Sequence, residues 1–494
     1  MKKAIVIGAG LGGLSCAIRL AHAGFAVTVL EQQSSAGGKL QRIQSGQYVF
    51  DRGPSTITMP AAFEQLFRSV GRQMDDYIKM YPLLQGTSNY FADGNKVIFN
   101  SDAAEMEEQI AAYSSEDARQ YRAFMSESAS LYQLAERHFM NRLLVSWQDK
   151  LHPSLLAALW RVKPFQTLDQ LLRKYFRHPH TLAMFGRFAT YVGSNPAKAP
   201  AIFAMLPHLE IVRGTYGISG GTYSLVQGLV QMAKEFGVDI RTSVRVNQIV
   251  TRQGRVVGVE TEDATYEADT VIANGDALTT YRDLLAEEHR PEMKDQKLKQ
   301  YEPSLSGYVI MAGMNRQYTQ LQHHNVFFPQ QYGSEFDDIF IKGIAPIDPA
   351  IYVCHSGYSE AGMAPIGGSN LFILVNAPYT SARWSWEEQH KPYGRYIVSK
   401  LSEYGLDQLE TQADVLMTYH PEQLERDTSA FYGSIYGISS NTIKQTFMRP
   451  SNRAKLKGLW FVGGTTHPGG GTPLVVTSGQ LVAESIIKQS RFDI

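Results

Sequence analysis

The sequence predicts an α/β protein: a parallel sheet assembled from both ends of the chain, an α+β domain inserted between them, and a helical lid. Three observations predict it. The first 31 residues run strand, glycine turn, helix, strand, acid; the residues after 458 run strand, glycine-rich loop, helix; and a strand-rich stretch from 237 to 272 leads back towards the first unit.

The opening unit begins with Ala4–Ile7, a continuous apolar run of the kind a parallel strand buried on both faces requires. Gly8-Ala9-Gly10-Leu11-Gly12-Gly13 follows, then Leu14, Ala17, Ile18 and Ala21 at helical spacing, a second strand at Ala26–Leu30, and Glu31. Gly8 permits a tight turn, Gly10 lets the backbone approach a pyrophosphate, and Gly13 lets the helix pack on the strand. The helix N-terminus offers unpaired N–H groups and partial positive charge to phosphates, and Glu31 can accept from an adenosine ribose. The unit therefore binds a dinucleotide. Gly37-Gly38-Lys39 and Phe50-Asp51-Arg52-Gly53-Pro54-Ser55 come soon after the acid, and point to a loop whose backbone touches a cofactor that stays bound.

At the far end Leu459–Val462 is a short apolar strand leading into Gly463-Gly464-Thr465-Thr466-His467-Pro468-Gly469-Gly470-Gly471-Thr472-Pro473. Leu474, Val475, Leu481, Val482, Ile486 and Ile487 then form an apolar helix face, with Thr472 as expected N-cap and Pro473 at the first helical position. The glycines let backbone lie flat against a planar ring. The helix start would stabilise negative charge on a reduced flavin.

Between the ends, Val244-Arg245-Val246, Ile249-Val250, Arg255–Val259 and Thr270-Val271-Ile272 are strand candidates, as are Gly307–Met311 and Leu371–Asn376. No internal repeat is visible. At 494 residues the chain exceeds the about 250–300 over which one core grows. A zero formal net charge offers nucleic acid no electrostatic footing, and Cys16 and Cys354 form no disulfide framework or zinc pattern. That cysteine usage suits a reducing cytoplasm. Met1-Lys2-Lys3 and the run after it imitate a secretory signal, but four glycines and Arg19 break the apolar stretch. No window approaches the about 20 apolar residues of a spanning helix.

The segment 141–210 differs in charge, with nine Lys or Arg against Asp149, Asp169 and Glu210. Trp147, Trp160, Phe165, Tyr175, Phe176, Phe185, Phe188, Tyr191 and Phe203 are interleaved with the charges, which suits the interface of an anionic bilayer. Gly217-Ile218-Ser219-Gly220-Gly221 fits the hydrolase GxSxG pattern, yet no clear buried strand precedes it, so a turn before a helix is expected. Glu387–His390 holds one ExxH where a di-iron bundle needs two, and His323-His324 lacks metal spacing. No metal is expected.

Taken together, VIGAGLGGLSCAIRLAHAGFAVTVLEQQSSAGGK, FDRGPSTITMP, YVGSNPAKAPAIFAMLPHLE, GTYGISGGTYSLVQGL, TYRDLL, LQHHNVFF, FYGSIYGISSN and VGGTTHPGGGTPLVVTSGQ run nearly end to end. With them the chain resembles the bacterial phytoene desaturase family of carotenoid oxidoreductases, within the flavin amine oxidase fold group. The resemblance implies a Rossmann-like FAD domain of the glutathione reductase type from 1–70, 215–290 and 440–494, a substrate domain from 71–105 and 291–439, and a membrane-facing helical lid from 106–214. It implies FAD contacts at Gly8, Gly10, Gly13, Glu31, Gly38 and Lys39, near Ser55, at the backbone of Val246, and at Gly464, Gly471 and Pro473. Many relatives place an acid beside the glycine where this chain has Gly463-Gly464-Thr465, so backbone contact is expected there rather than a carboxylate.

The likeness is greatest in the C30 branch. GGTYSLVQGL and LAERHFMNR favour a dehydrosqualene (4,4'-diapophytoene) desaturase over the sister enzyme that oxidises the terminal methyl of the desaturated product; a non-catalytic isoprenoid carrier on the same fold is a third reading. The expected chemistry is desaturation by hydride transfer to flavin in an apolar tunnel, with Glu136 as a candidate carboxylate near the ring. The expected location is the cytoplasm, at the inner face of the cell membrane.

Overall fold

A computed structural model of the protein describes all residues except 146–148, 150–152 and 493–494. Trp147 and Lys150, counted above, lie outside the described residues.

Five parallel strands form the sheet drawn from both ends, in the order Leu459–Phe461, Thr270–Ala273, Lys3–Ile7, Ala26–Leu30, Asp239–Arg241. The burial of Leu459–Phe461 and Thr270–Ala273 and of the centre of Lys3–Ile7 follows from their apolar runs, whereas Asp239–Arg241 is an exposed edge. The helices Leu11–His22 and Thr472–Phe492 lie against each other beside it. Ser15 Oγ donates to the Val476 carbonyl at 2.8 Å, and a Cβ on Gly479 would stand 2.3 Å from the Gly12 carbonyl oxygen, so the two backbones meet with no room for a side chain. That crossing holds the two ends of the chain together. The last helix begins at Thr472, its expected cap, one residue before the expected start at Pro473. Val475 N–H donates to the Gly471 carbonyl at 3.0 Å, so Gly471 occupies the cap position.

A seven-stranded mixed sheet draws its strands from residues 88–98 and 306–419. Its strand Ser306–Met314 is buried at all nine positions and pairs with Ser369–Ala377 and Ala413–Tyr419, both antiparallel. Val246–Arg252 is one continuous strand paired with Arg255–Thr261 in a separate three-stranded sheet.

The helical region around 103–212 packs Phe124, Phe176, Phe185, Phe188 and Phe203 into one core with Phe91, Val326 and Phe328 of the seven-stranded sheet. Most of the aromatics interleaved with charge in 141–210 are therefore core residues rather than surface ones, because a helix hides one face while its charged stems reach water. Trp160 and Phe165 are the exceptions, 75% and 76% exposed. Among the described residues no helix is long and apolar enough to cross a membrane.

Candidate functional site

One continuous cavity opens along the C-terminal edge of the parallel sheet, where ligands of open α/β sheets bind, and runs on between the seven-stranded sheet and the helical region. Residues from both ends line it: Gly10, Gly38, Lys39 and Ser55 from the first, Gly464, Gly471 and Pro473 from the second.

Gly8, Gly13, Glu31 and Val246 are not walls of the cavity. Gly8 takes φ +96°, and a Cβ on Gly13 would stand 2.3 Å from the Gly8 carbonyl oxygen, so both shape the turn beneath the wall. The Glu31 carboxylate accepts from the Ala9 and Gln33 N–H groups at 2.7 and 2.9 Å, and its burial pushes its pKa up against those bonds. Val246 is packed in the core with Ile5 and Leu30.

The helix Leu11–His22 starts at Gly10 with no side-chain cap and no acid in its first turn, and Leu11 and Gly12 face the cavity. An uncapped, electropositive helix start behind a glycine turn fits a pyrophosphate. Three side chains that the sequence reading missed complete the cradle. Asn274, at the end of the strand Thr270–Ala273, donates to the Gly8 carbonyl at 3.1 Å and abuts Gly10. Asp276 receives the Thr465 hydroxyl at 2.7 Å and the Leu278 N–H at 2.9 Å. Arg449 donates to the Gly464 carbonyl at 3.0 Å and to those of Thr465 and Tyr436 at 3.3 Å. A carboxylate thus does stand beside the Gly463-Gly464-Thr465 turn, brought there from a different segment. Burial lowers the pKa of Lys39 to about 8 and of Arg449 to about 10, with Asp276 pulling both back up. Lys39 Nζ donates to the carbonyls of Ser434 and Ile435, the first at 3.0 Å.

Away from the glycine loops the walls are apolar, with Phe139, Ile202, Leu206, Val309, Val326 and Leu374 prominent. Polar side chains interrupt them, and two hydrogen-bonded groups stand out. Ser55 Oγ and the Tyr352 hydroxyl lie 2.7 Å apart, and Tyr352 reaches His324 Nδ1 at 2.7 Å. Arg187, Tyr191 and Glu210 form the second: Tyr191 donates to Glu210 at 2.6 Å, and Arg187 donates to the Tyr191 oxygen at 3.1 Å. Glu136, the expected carboxylate, is not a wall. It accepts from the Tyr132 hydroxyl at 2.8 Å, because Ala135, Phe139 and Met140 turn the opposite face of that segment to the cavity. Glu210 and Asp276 are the carboxylates among the described residues that line it.

His323 and His324 come together with Cys354 from the neighbouring strand, their ligand atoms within 4.8 Å of one another. Hydrogen bonds already engage both Nδ1 atoms, His323 with Ser359 and His324 with Tyr352, and burial pushes the Cys354 thiol up to about 12. Glu387 pairs with Arg426 and His390 with Thr418. Ser219 is exposed in a turn before the helix Ser224–Glu235, which Asp51 caps by accepting from the Tyr223 N–H at 3.0 Å.

The model of the flavin-containing amine oxidoreductase family matches residues 11–487 of this chain. The chain belongs to that family. It is an FAD-dependent oxidoreductase with an α/β flavin-binding fold. Among curated proteins, the 4,4'-diaponeurosporene oxygenase of Staphylococcus haemolyticus is 34% identical over 489 residues, 98% of this chain and 97% of that one. The enzyme of the same name from Staphylococcus aureus is 34% identical over 490 residues, 98% of each chain. Among solved structures, a putrescine oxidase bound to putrescine aligns with TM-score 0.67 at 15% identity, and the cyclohexylamine oxidase of Brevibacterium oxydans with 0.64 at 14%, each over 99% of both chains. Those two alignments carry the fold.

Proposed function

We propose that the protein oxidises the terminal methyl group of an acyclic C30 carotenoid, using FAD and dioxygen, rather than desaturating the chain. The observation that carries this reading is identity of 34% across 98% of the chain with proteins named 4,4'-diaponeurosporene oxygenase. Of the two segments that favoured a desaturase, GGTYSLVQGL contributes no wall to the cavity; the other contributes Ala135, Phe139 and Met140.

Bound FAD would supply the two-electron redox chemistry. The chain's residues would do the rest. The uncapped start of the helix Leu11–His22 would hold the pyrophosphate, and Lys39, Asn274, Asp276 and Arg449 tie together the loops that would surround the cofactor. A polyene has nothing for a hydrogen bond to grip, so the apolar walls select it by length and width and exclude water. Ser55 and Tyr352, whose hydroxyls lie 2.7 Å apart in the wall, could pass a proton.

The same reading places the protein at the inner face of the cell membrane, since its substrate dissolves in lipid. Trp160 and Phe165 support it: both are exposed, their ring centroids lie 6.2 Å apart with the planes tilted at 56°, and Arg161 and Lys163 lie between them in the chain. The helix Pro153–Arg161 packs on the segment that carries Phe139 and Met140 into the cavity wall.

Incubating purified holoprotein with 4,4'-diaponeurosporene and, separately, with 4,4'-diapophytoene tests the function. The expected result is an aldehyde from the first and no lengthened chromophore from the second. Longer chromophores without oxygen incorporation would return the assignment to a desaturase.

A further inference from the structure

We propose that Arg187, held by Tyr191, is a binding station for an oxygen atom at the end of the substrate chain, a hydroxyl or carbonyl carried by the partly oxidised polyene. The inference rests on the terminal oxidation proposed above and names what that site must hold between successive oxidations.

A hydrocarbon offers a buried guanidinium nothing. Arg187 is only 6% exposed, yet it lines a cavity whose neighbouring walls include Ile202, Leu206 and Val326. Burying a cation there is costly unless its donors are matched. They are matched in part. The Glu210 carboxylate is committed at short range to Thr87 at 2.8 Å and Tyr191 at 2.6 Å, while Arg187 stands 3.9 Å away from it. One Nη reaches the Tyr191 oxygen, and Nε is buried with no hydrogen-bond partner among the described residues. The Tyr332 hydroxyl and His324 Nε2, both within electrostatic reach of Arg187, are buried without partners among the described residues as well. A guanidinium with five donors and a planar fork is made for an oxygen acceptor. An oxygen on the chain end meets that demand, and a methyl group does not. The first oxidation product is thereby kept in the cavity, aligned for the next oxidation.

The test compares the terminal alcohol of the C30 polyene with the parent hydrocarbon, in wild type, in Arg187→Lys and in the charge-balanced Arg187→Met/Glu210→Gln double variant. Steady-state KM and kcat, the alcohol-to-aldehyde ratio, and perturbation of the flavin absorbance by each compound are measured. Losing a charge-assisted hydrogen bond of this kind costs about tenfold to a hundredfold in affinity. The alcohol should therefore lose that much more than the hydrocarbon in the double variant, chiefly in KM, and alcohol should accumulate. Arg187→Lys should lose less. Equal losses for the two compounds, or none, with FAD retained would overturn the proposal. If the double variant lost its FAD, Arg187→Lys would decide by the same comparison. If wild type made no oxygenated product, the terminal-oxidation reading would fail separately, and tighter binding of alcohol than hydrocarbon in the absorbance titration would still speak for Arg187, equal binding against it.

Discussion

The Thr465 hydroxyl donates to an Asp276 carboxylate oxygen at 2.7 Å, linking the glycine loop near the end of the chain to the strand Thr270–Ala273. The other Asp276 oxygen caps the helix Ala277–Leu284 through the Leu278 N–H. One carboxylate therefore serves a fold contact and a site contact, and two substitutions separate them. Asp276→Asn keeps a capping oxygen and should hold the melting temperature nearly constant while weakening FAD binding about tenfold. Asp276→Ala should lose the same affinity and about 1 kcal/mol of stability besides. FAD titration and thermal melting check both.

Lys39 gives the site a pH dependence with a definite sign. Burial lowers its pKa to about 8, against about 10.4 in an unfolded chain. An anionic ligand beside Nζ raises that pKa again, so binding takes up a proton between about pH 8 and 10. FAD affinity should fall as pH rises through this window, by up to about tenfold per unit, and stay flat below it. In Lys39→Met the slope should vanish. Fluorescence titration of FAD from pH 7 to 10 measures it.

The buried histidines predict acid lability. Burial lowers the pKa of His323 and of His355 to about 4. A fold that favours the neutral ring loses stability as pH falls through the unfolded value of about 6.5, and the loss is complete below about 4. Each ring contributes on the order of 3 kcal/mol across that window, as an upper bound. Urea midpoints should drop steadily from pH 7 to 4.5, and less steeply in His323→Gln.

Trp160 and Phe165 should carry membrane affinity. Replacing both with Ser leaves the core untouched, since both rings are exposed. Co-sedimentation with anionic vesicles should fall several-fold while the melting temperature holds. Unchanged sedimentation would remove the support for a peripheral location.

What the sequence disclosed was the local part of the site. The turn from Gly8 to Gly13 and the loop from Gly463 to Pro473 are contiguous, and their glycines answer to backbone conformation and close approach, which sequence spacing reveals. Asn274, Asp276, Arg449 and Glu210 escaped notice because each reaches the site from a remote segment, and an isolated polar residue carries no spacing to read. Glu136 misled for the complementary reason: helical spacing says which residues share a face, not which way that face turns. Composition likewise cannot separate a core Phe185 from an exposed Phe165 among the aromatics of 141–210.

FAD is expected between the turn at Gly8–Gly13 and the loop at Gly463–Pro473, and FAD stoichiometry in purified wild type, Gly13→Ala and Gly464→Val measures whether it binds there. Gly13 has no room for a methyl group, so its variant should lose the turn and the flavin together. Gly464 lines the cavity with its nearest contact at 3.4 Å, so a Val there should fold and still exclude FAD. Wild type should carry one FAD per chain and both variants little or none. Full FAD occupancy in a folded Gly464→Val protein would contradict the account.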